Sequence, residues 1–349
     1  MADKIRVAIA GYGNLGRGVE AALAQNPDMQ LVGVFSRRDP ASVTLRDSRV
    51  PVHAMADIEQ HQNEVDVLIL CGGSKTDLPE QGPYLAQFFN TVDSFDTHAR
   101  VNEYFAALDK PARAAGKLAL MSVGWDPGLF SLNRLFGETI LPQGETYTFW
   151  GKGLSQGHSD AVRRVDGVKK GVQYTLPSED AIARVRSGEQ PELTTREKHV
   201  RECFVVLEDG ADADTVRNAI VTMPDYFEPF DTTVHFIDEA TFNAEHTAMP
   251  HGGFVIRSGE TGTGTHTGTG THTGTGTRNT GTGTRNKQTI EYSLALGSNP
   301  EFTASVLVAY TRAVYKLARA GETGARSVLD VPPGLLSPKT PEQLRQDLL

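Results

Sequence analysis

The chain has 349 residues, with 43 acidic against 34 basic side chains, and its net charge of −9 excludes a basic nucleic-acid surface. Its two cysteines form neither a disulfide framework nor a zinc spacing, no apolar run is long enough to span a bilayer, and the first strand starts too close to Met1 for a signal peptide; a soluble cytoplasmic protein with no nucleic-acid or membrane partner is expected. The length and apolar fraction suit two domains, or one domain with a long insertion.

Ile5-Arg6-Val7-Ala8-Ile9-Ala10 reads as a buried strand. Gly11-Tyr12-Gly13-Asn14-Leu15-Gly16 follows at once and opens a helical pattern. Leu31 to Phe35 forms a second strand ending in Ser36-Arg37-Arg38. Glycines in such a turn let backbone approach a pyrophosphate at a helix N-terminus, where free N–H groups and the helix dipole favour anions. An NAD site places Asp or Glu at the end of the second strand, whereas arginines there suit the 2′-phosphate of NADP. The alternative is a glycine-rich turn with two solvated arginines, but strand, fingerprint, helix, strand and basic end in that order favour the cofactor site.

Further along, Val65 to Leu70 is an apolar strand ending in Cys71-Gly72-Gly73-Ser74. A helix is expected near Pro83 to Asn90, a short strand over Thr91-Val92-Asp93, and a helix over Val101 to Gly116 with a kink or break at Pro111. Lys117 to Ser122 reads as another strand, followed by Gly124-Trp125-Asp126-Pro127-Gly128. This alternation predicts an α/β fold, a Rossmann-type doubly wound parallel sheet with ligands beyond its C-terminal strand ends.

The pattern then changes. Thr146 to Trp150, Val168 to Leu176, His199 to Leu207 and Thr232 to Ile237 read as strands of a second, mixed or antiparallel sheet. Helices over Ser178 to Arg186 and Asp212 to Val221 make this an α+β domain. Asn299-Pro300 opens a long helix to about Ala320, with Asn at the N-cap, Pro at N1 and Gly321 closing it. From Thr261 to Asn286 the chain is almost wholly Thr and Gly, with His266, His272, Arg278 and Arg285 interspersed. Without aliphatic or aromatic residues the tract cannot offset its ordering entropy, so a mobile loop or extended hairpin is expected. His266 and His272 lack an accompanying Cys, Asp or Glu in the tract, and no metal site is expected.

Several segments carry chemistry. Asp96 and Asp126 each follow a strand end, where paired carboxylates hold an ammonium or accept its proton; each also suits a helix cap. Phe149 to Asp160 contains three glycines near a helix start, offering N–H groups to a carboxylate, or simply a tight turn. His158 in that segment reads as a base or as a structurally bonded histidine. Arg201 in a strand offers a planar fork to a substrate carboxylate, or is merely solvated. Met249-Pro250-His251-Gly252-Gly253 is a further candidate, and Asn299 is first a helix cap. Cys71 reads as a small buried side chain rather than a thiol nucleophile, since Gly72-Gly73-Ser74 supplies no base.

Taken together these segments resemble the meso-diaminopimelate D-dehydrogenase family. The resemblance runs through Arg6 to Arg17, Phe35 to Arg38, Gly124 to Gly128, Thr148 to Gly151 and Val172 to Asp180. Its most specific parts are Gly153-Leu154-Ser155-Gln156-Gly157-His158-Ser159-Asp160 and Met249-Pro250-His251-Gly252-Gly253. It covers nearly the whole chain except the Thr/Gly tract, where the family has a short turn and about twenty residues look inserted.

The resemblance implies reversible NADP-dependent oxidative deamination at the D-centre of meso-2,6-diaminopimelate, in lysine and cell-wall precursor synthesis, by a homodimer. It implies cofactor contacts at Tyr12, Gly13, Asn14, Leu15, Ser36, Arg37, Arg38, Cys71, Gly72, Gly73, Ser74, Asp93, Ser94, Val123, Gly124, Trp125, Asp126 and Pro127. It implies substrate contacts at Asp96, Asp126, Trp150, Gln156, Gly157, Thr175, Arg201, His251 and Asn299. Asp96 and Asp126 then lie near the reacting amine, Trp150 forms a wall, and Arg201, Thr175 and His251 take a distal carboxylate; the base is Asp126, Asp96 or a water. The chain would divide into a dinucleotide-binding domain over 1–122, a substrate-binding and dimerisation domain over 123–299, and a segment 300–349 packing back on the first. The competing readings are another Rossmann oxidoreductase of amino-acid metabolism, such as a semialdehyde dehydrogenase or imine reductase, and a catalytically silent NADP-binding sensor.

Overall fold

Strands that are apolar at nearly every position need both faces covered, and this chain supplies helices for both. The computed structural model describes residues 4–262 and 286–349; the Thr/Gly tract from 263 to 285, with His266 and His272, lies outside the described residues. The chain splits into two compact units, 1–132 with 299–349, and 133–298.

In the first unit the strands are Ile5–Ala10 (β1), Met29–Ser36 (β2), Val52–Ala54 (β3), Val67–Leu70 (β4), Thr91–Asp93 (β5) and Leu118–Met121 (β6), joined by Gly324–Ser327 from near the C-terminus. The sheet order is Gly324–Ser327, β6, β5, β4, β1, β2, β3, and every pairing is parallel. One face buries Val7, Ile9, Val67 and Ile69 against the helices Asn14–Ala24 and Asn299–Arg319. The other buries Ala8, Leu68 and Leu70 against Leu78–Leu85 and Val101–Ala115. Strand order reverses at β1, so the crevice between the ends of β1 and β4 is a topological switch point, where sheets of this kind receive their ligands.

In the second unit Gly144–Trp150 (β7) pairs with His251–Thr261 (β12), which pairs with Asn286–Leu296 (β13), all antiparallel. A separate four-stranded sheet contains Gly153–Leu154 (β8), Val168–Pro177 (β9), His199–Leu207 (β10) and Asp231–Phe236 (β11). It is mixed, with β10 and β11 parallel and the other pairs antiparallel.

Four expectations change. The segment Val123–Leu132 and Asn299 belong to the first unit, because Val123 N–H donates to the Asp93 carbonyl at 2.8 Å and Trp125 Nε1 donates to Asn299 Oδ1 at 2.9 Å. The strand at Thr146 to Trp150 joins β12 rather than β9, so two sheets replace one. The helix expected from Pro83 spans Leu78–Leu85, with Pro79 in its first turn and Pro83 inside it. The helix over Val101–Ala115 continues through Pro111 and ends at Gly116 with φ +66°. Thr261 pairs with Asn286, so β12 and β13 run side by side up to the limit of the described residues.

Candidate active site

The glycine turn in the first unit divides its three glycines by role. Gly11 has φ +97°, which favours glycine, and a Cβ on Gly16 would stand 2.3 Å from the Gly11 carbonyl oxygen, so the helix packs on the turn only without a side chain. Gly13 has neither constraint. Its φ is −92° and a Cβ there would meet nothing within 4 Å. The protein's own packing therefore does not require a glycine at Gly13. The helix Asn14–Ala24 has no side-chain cap on its N–H groups and no acidic residue in its first turn, which leaves donors for a phosphate.

A cavity of about 510 Å3 opens there, lined by Tyr12, Gly13, Asn14, Ser36, Arg37, Arg38, Cys71 and Gly72 among the expected cofactor residues. Ser36 Oγ accepts from the Arg38 N–H at 3.0 Å, and an Arg38 terminal nitrogen donates to the Tyr12 carbonyl at 2.6 Å. Arg37 donates to both carboxylate oxygens of Asp77, at 2.8 and 3.2 Å, while Asp77 also accepts from the Gly73 N–H at 2.9 Å. Burial pushes the Cys71 thiol up, which opposes a nucleophile's role there. Leu15, Gly73, Ser74, Asp93, Ser94 and the Val123 to Pro127 turn do not line this cavity.

Asp93 has a supporting task in the fold. It is fully buried, and its carboxylate accepts from Phe95 N–H, Ser122 N–H and the Tyr104 hydroxyl at 2.9, 3.3 and 2.8 Å. Burial raises its carboxyl to about 6. Its side chain holds the end of β5, and its carbonyl holds Val123 at the start of the next turn. Ser74 likewise acts on the loop, its Oγ accepting from the Asp96 N–H at 2.9 Å. Asp96 and Asp126 follow β5 and β6, which are neighbours in the sheet. In the Asp126 turn a Cβ on Gly128 would stand 1.8 Å from the Gly124 carbonyl oxygen, which explains that glycine. Asn299 Oδ1 accepts from Trp125 Nε1 and from the Thr303 hydroxyl, anchoring the turn to the helix Asn299–Arg319.

Trp150, Gln156, Gly157, Thr175, Arg201 and His251 belong to the second unit. Gly153 pairs with Thr175, and a Cβ on Gly153 would stand 2.5 Å from the His251 ring, so that glycine seats the imidazole. His251 Nδ1 lies 2.8 Å from the Gly252 N–H and 3.2 Å from the Gly252 carbonyl oxygen, which holds the ring against its own strand. Gly252 and Gly253 have φ of +151° and +152°, and side chains there would strike the carbonyls of Leu294 and Phe149. Gln156 Nε2 lies 3.4 Å from Met249 Sδ, and Gly157, exposed in the first turn of the helix Gln156–Arg163, has open space where a Cβ would stand. In that turn Ser155 is the N-cap, and its Oγ lies 2.8 Å from His158 Nδ1, so His158 takes its structural reading.

Arg201 is 8% exposed, donates to the Thr175 hydroxyl oxygen, and lies over the Phe230 ring with its guanidinium carbon 3.8 Å from the centroid. Its Nε is buried without an acceptor, and it forms no ion pair with a carboxylate among the described residues. Burial lowers its pKa to about 10. A buried cation without an anion among the described residues is suited to an anionic ligand. Sequence reasoning missed the supports: His199 under Trp150, Phe230 under Arg201, and Asp77 beside Arg37. Each lies far along the chain from the residue it touches, and no local pattern marks it.

A family profile described as the diaminopimelic acid dehydrogenase C-terminal domain matches residues 124–272. Meso-diaminopimelate D-dehydrogenase of Lysinibacillus sphaericus is 61% identical over 345 residues, covering 99% of each chain. The C. glutamicum DAP dehydrogenase structure in complex with DAP is 48% identical, with a TM-score of 0.84 and 99% of each chain covered. An engineered D-amino acid dehydrogenase bound to NADP+ is 47% identical, with a TM-score of 0.79 over 99% of this chain and 100% of that one.

Proposed function

Because the chain belongs to the meso-diaminopimelate D-dehydrogenase family, we propose that it oxidatively deaminates meso-2,6-diaminopimelate at the D-centre, reversibly and with NADP. Water enters, and L-2-amino-6-oxopimelate, ammonia, NADPH and a proton leave. The observation that carries the substrate side is Arg201, a buried guanidinium whose Nε has no acceptor. A small diacid offers the missing anion.

The residues take roles that follow from their chemistry. Asp96 and Asp126 hold the reacting ammonium, and the proton it must lose before oxidation passes to one of them or to water. Trp150 walls the substrate. Arg201, Thr175 and His251 take the distal carboxylate, each with a donor, and Gln156, Gly157 and Asn299 complete the contacts. The nicotinamide, when bound, supplies the hydride acceptor. Gly13 and the uncapped helix start serve its pyrophosphate, and Arg37 and Arg38 its 2′-phosphate. The protein acts as a cytoplasmic homodimer, a reading supported by exposed Leu135, Phe136 and Ile140 on one apolar helix.

A spectrophotometric assay for NADPH formation with meso-, LL- and DD-diaminopimelate tests the proposal. Turnover of the meso isomer with NADP is expected. Binding of NADP without turnover of any isomer would establish the sensor reading instead. A thiol-dependent oxidoreductase would need Cys71, whose raised pKa opposes that role.

A further inference from the structure

Thr175 stands where two donors meet. Its hydroxyl oxygen accepts from an Arg201 terminal nitrogen and, at 3.4 Å, from Gln173 Nε2. Gln173 and Thr175 are two residues apart on β9, so they share a face, and Thr175 pairs directly with Arg201 on β10. Gln173 is fully buried and tied at both backbone atoms: its N–H donates to Ser159 Oγ at 3.0 Å, and its carbonyl accepts from the Ser155 N–H at 3.1 Å. Those partners bracket the first turn of the helix that presents Gln156 and Gly157.

A threonine hydroxyl has two acceptor lone pairs and one proton. With both lone pairs engaged, the oxygen has only its proton left to offer. Arg201 offers only protons. We infer that Gln173 is a positioning residue that fixes the Thr175 hydroxyl as a donor, so that Thr175 and Arg201 together accept a carboxylate and turn away an ammonium. The inference rests on the proposed function for the identity of the ligand. It goes further by giving the amino-acid end a required orientation, carboxylate toward Arg201, set by an amide that the ligand itself does not touch. Phe230 fixes the guanidinium plane from the other side.

The test is a double-mutant cycle with Q173M and T175V, read as KM and kcat for meso-diaminopimelate at saturating NADP, with melting temperature measured alongside. Q173M is expected to raise KM about tenfold, the order of one well-placed hydrogen bond, with kcat changed less than about threefold and the KM for NADP unchanged. T175V is expected to do the same, T175S to restore binding, and the double variant to be no worse than T175V, since without the hydroxyl Gln173 has nothing to orient. Q173E, which reverses the amide's donor role and claims both the hydroxyl proton and Arg201, is expected to raise KM further. Unchanged KM in a folded Q173M, or additive losses in the double variant, overturns the inference. If wild-type protein forms no NADPH with meso-diaminopimelate, the functional proposal fails instead. The cycle is then read from calorimetric binding of pimelate, a plain dicarboxylate, with the same expected coupling and the same overturning result.

Discussion

The backbone N–H of Trp150 donates to Nε2 of His199 at 2.9 Å, and the two rings stack with centroids 5.4 Å apart. Only an unprotonated Nε2 accepts that bond. Burial, then the charges of Arg201 and Lys198, push His199 down to about 4. The folded value lies below the unfolded value of about 6.5, so this stabilisation is complete above that pH and is lost as pH falls through about 4. Denaturant titrations from pH 7 to 4 should show the second unit losing up to ~3 kcal/mol through this group. His199→Gln should flatten that loss; an identical slope in both proteins refutes the assignment. Asp93 works in the opposite sense. Its folded value of about 6 lies above the unfolded one, so it adds stability to the first unit as pH falls below about 6.

Asp126 sits in a turn held by the Trp125–Asn299 hydrogen bond and by the Gly124–Gly128 close approach. Asp126→Ala should therefore leave the turn in place. Turnover should fall at least ~100-fold, the order expected for a group that holds or deprotonates the reacting amine. NADP affinity, measured by fluorescence titration, should survive. Near-normal turnover would remove Asp126 from the mechanism.

Arg37 has a side chain 67% exposed and Arg38 is tied to the Tyr12 carbonyl, so the two should separate under mutation. Arg37→Ala should weaken NADP about tenfold or more while NAD changes little, because NAD has no 2′-phosphate to lose. Arg38→Ala should also loosen the glycine turn and weaken both dinucleotides, NADP more. An unchanged NADP-to-NAD ratio in the double variant would exclude a 2′-phosphate site at this strand end.

Arg257 is 6% exposed on β12 and donates from Nε and a terminal nitrogen to the Leu141 carbonyl, and to the Pro142 carbonyl and Thr146 hydroxyl. Leu141 follows directly on the helix Leu129–Ile140, whose last carbonyls need partners. Arg257→Met keeps most of the volume and removes every donor. It should cost ~3 kcal/mol in denaturant unfolding, because buried carbonyls are left unpaired. A loss below about 1 kcal/mol would mean water replaces the guanidinium there.

The arms β12 and β13 are in register as far as Thr261 and Asn286. Replacing residues 262–285 with Asn-Gly, a two-residue turn suited to an antiparallel pair, should leave the melting temperature within a few degrees, about the scatter of a surface change. Collapse of the fold in that variant would show that the tract is structural.

The cofactor turn was legible because its requirements are local. Gly11 needs a positive φ and Gly16 a bare Cα, and both lie within six residues of a buried strand. The helix starts at Ser178 and Asp212 were legible for the same reason, since each side chain caps its own first turn. The helix Leu129–Ile140 and the strand β12 were not. β12 opens with His251-Gly252-Gly253, a composition that opposes strand formation and is tolerated only because Leu294 and Phe149 press close on either side. Asp93 was legible as the end of a short strand but not as a buried support, since its partners Tyr104 and Ser122 lie outside that strand. Gln173 carries no outward sign at all; only the pairing of β9 with β10 gives its amide a task.

The first unit is completed by residues that follow the whole of the second. Gly324–Ser327 covers the open edge of β6, and a Cβ on Gly18 would already lie 3.0 Å from Ala304, so the last long helix is fitted closely to the first. During synthesis the ribosome therefore releases a nucleotide-binding sheet that lacks its outer strand and one of its covering helices, then the entire second unit, and only afterwards the missing pieces. The second unit has all its strands in hand first and is placed to fold first, while the N-terminal residues wait with an apolar face exposed. A stop codon anywhere before Asn299 should thus yield a chain that keeps the glycine turn in its sequence but exposes the surface normally covered by Leu307, Tyr310 and Val314.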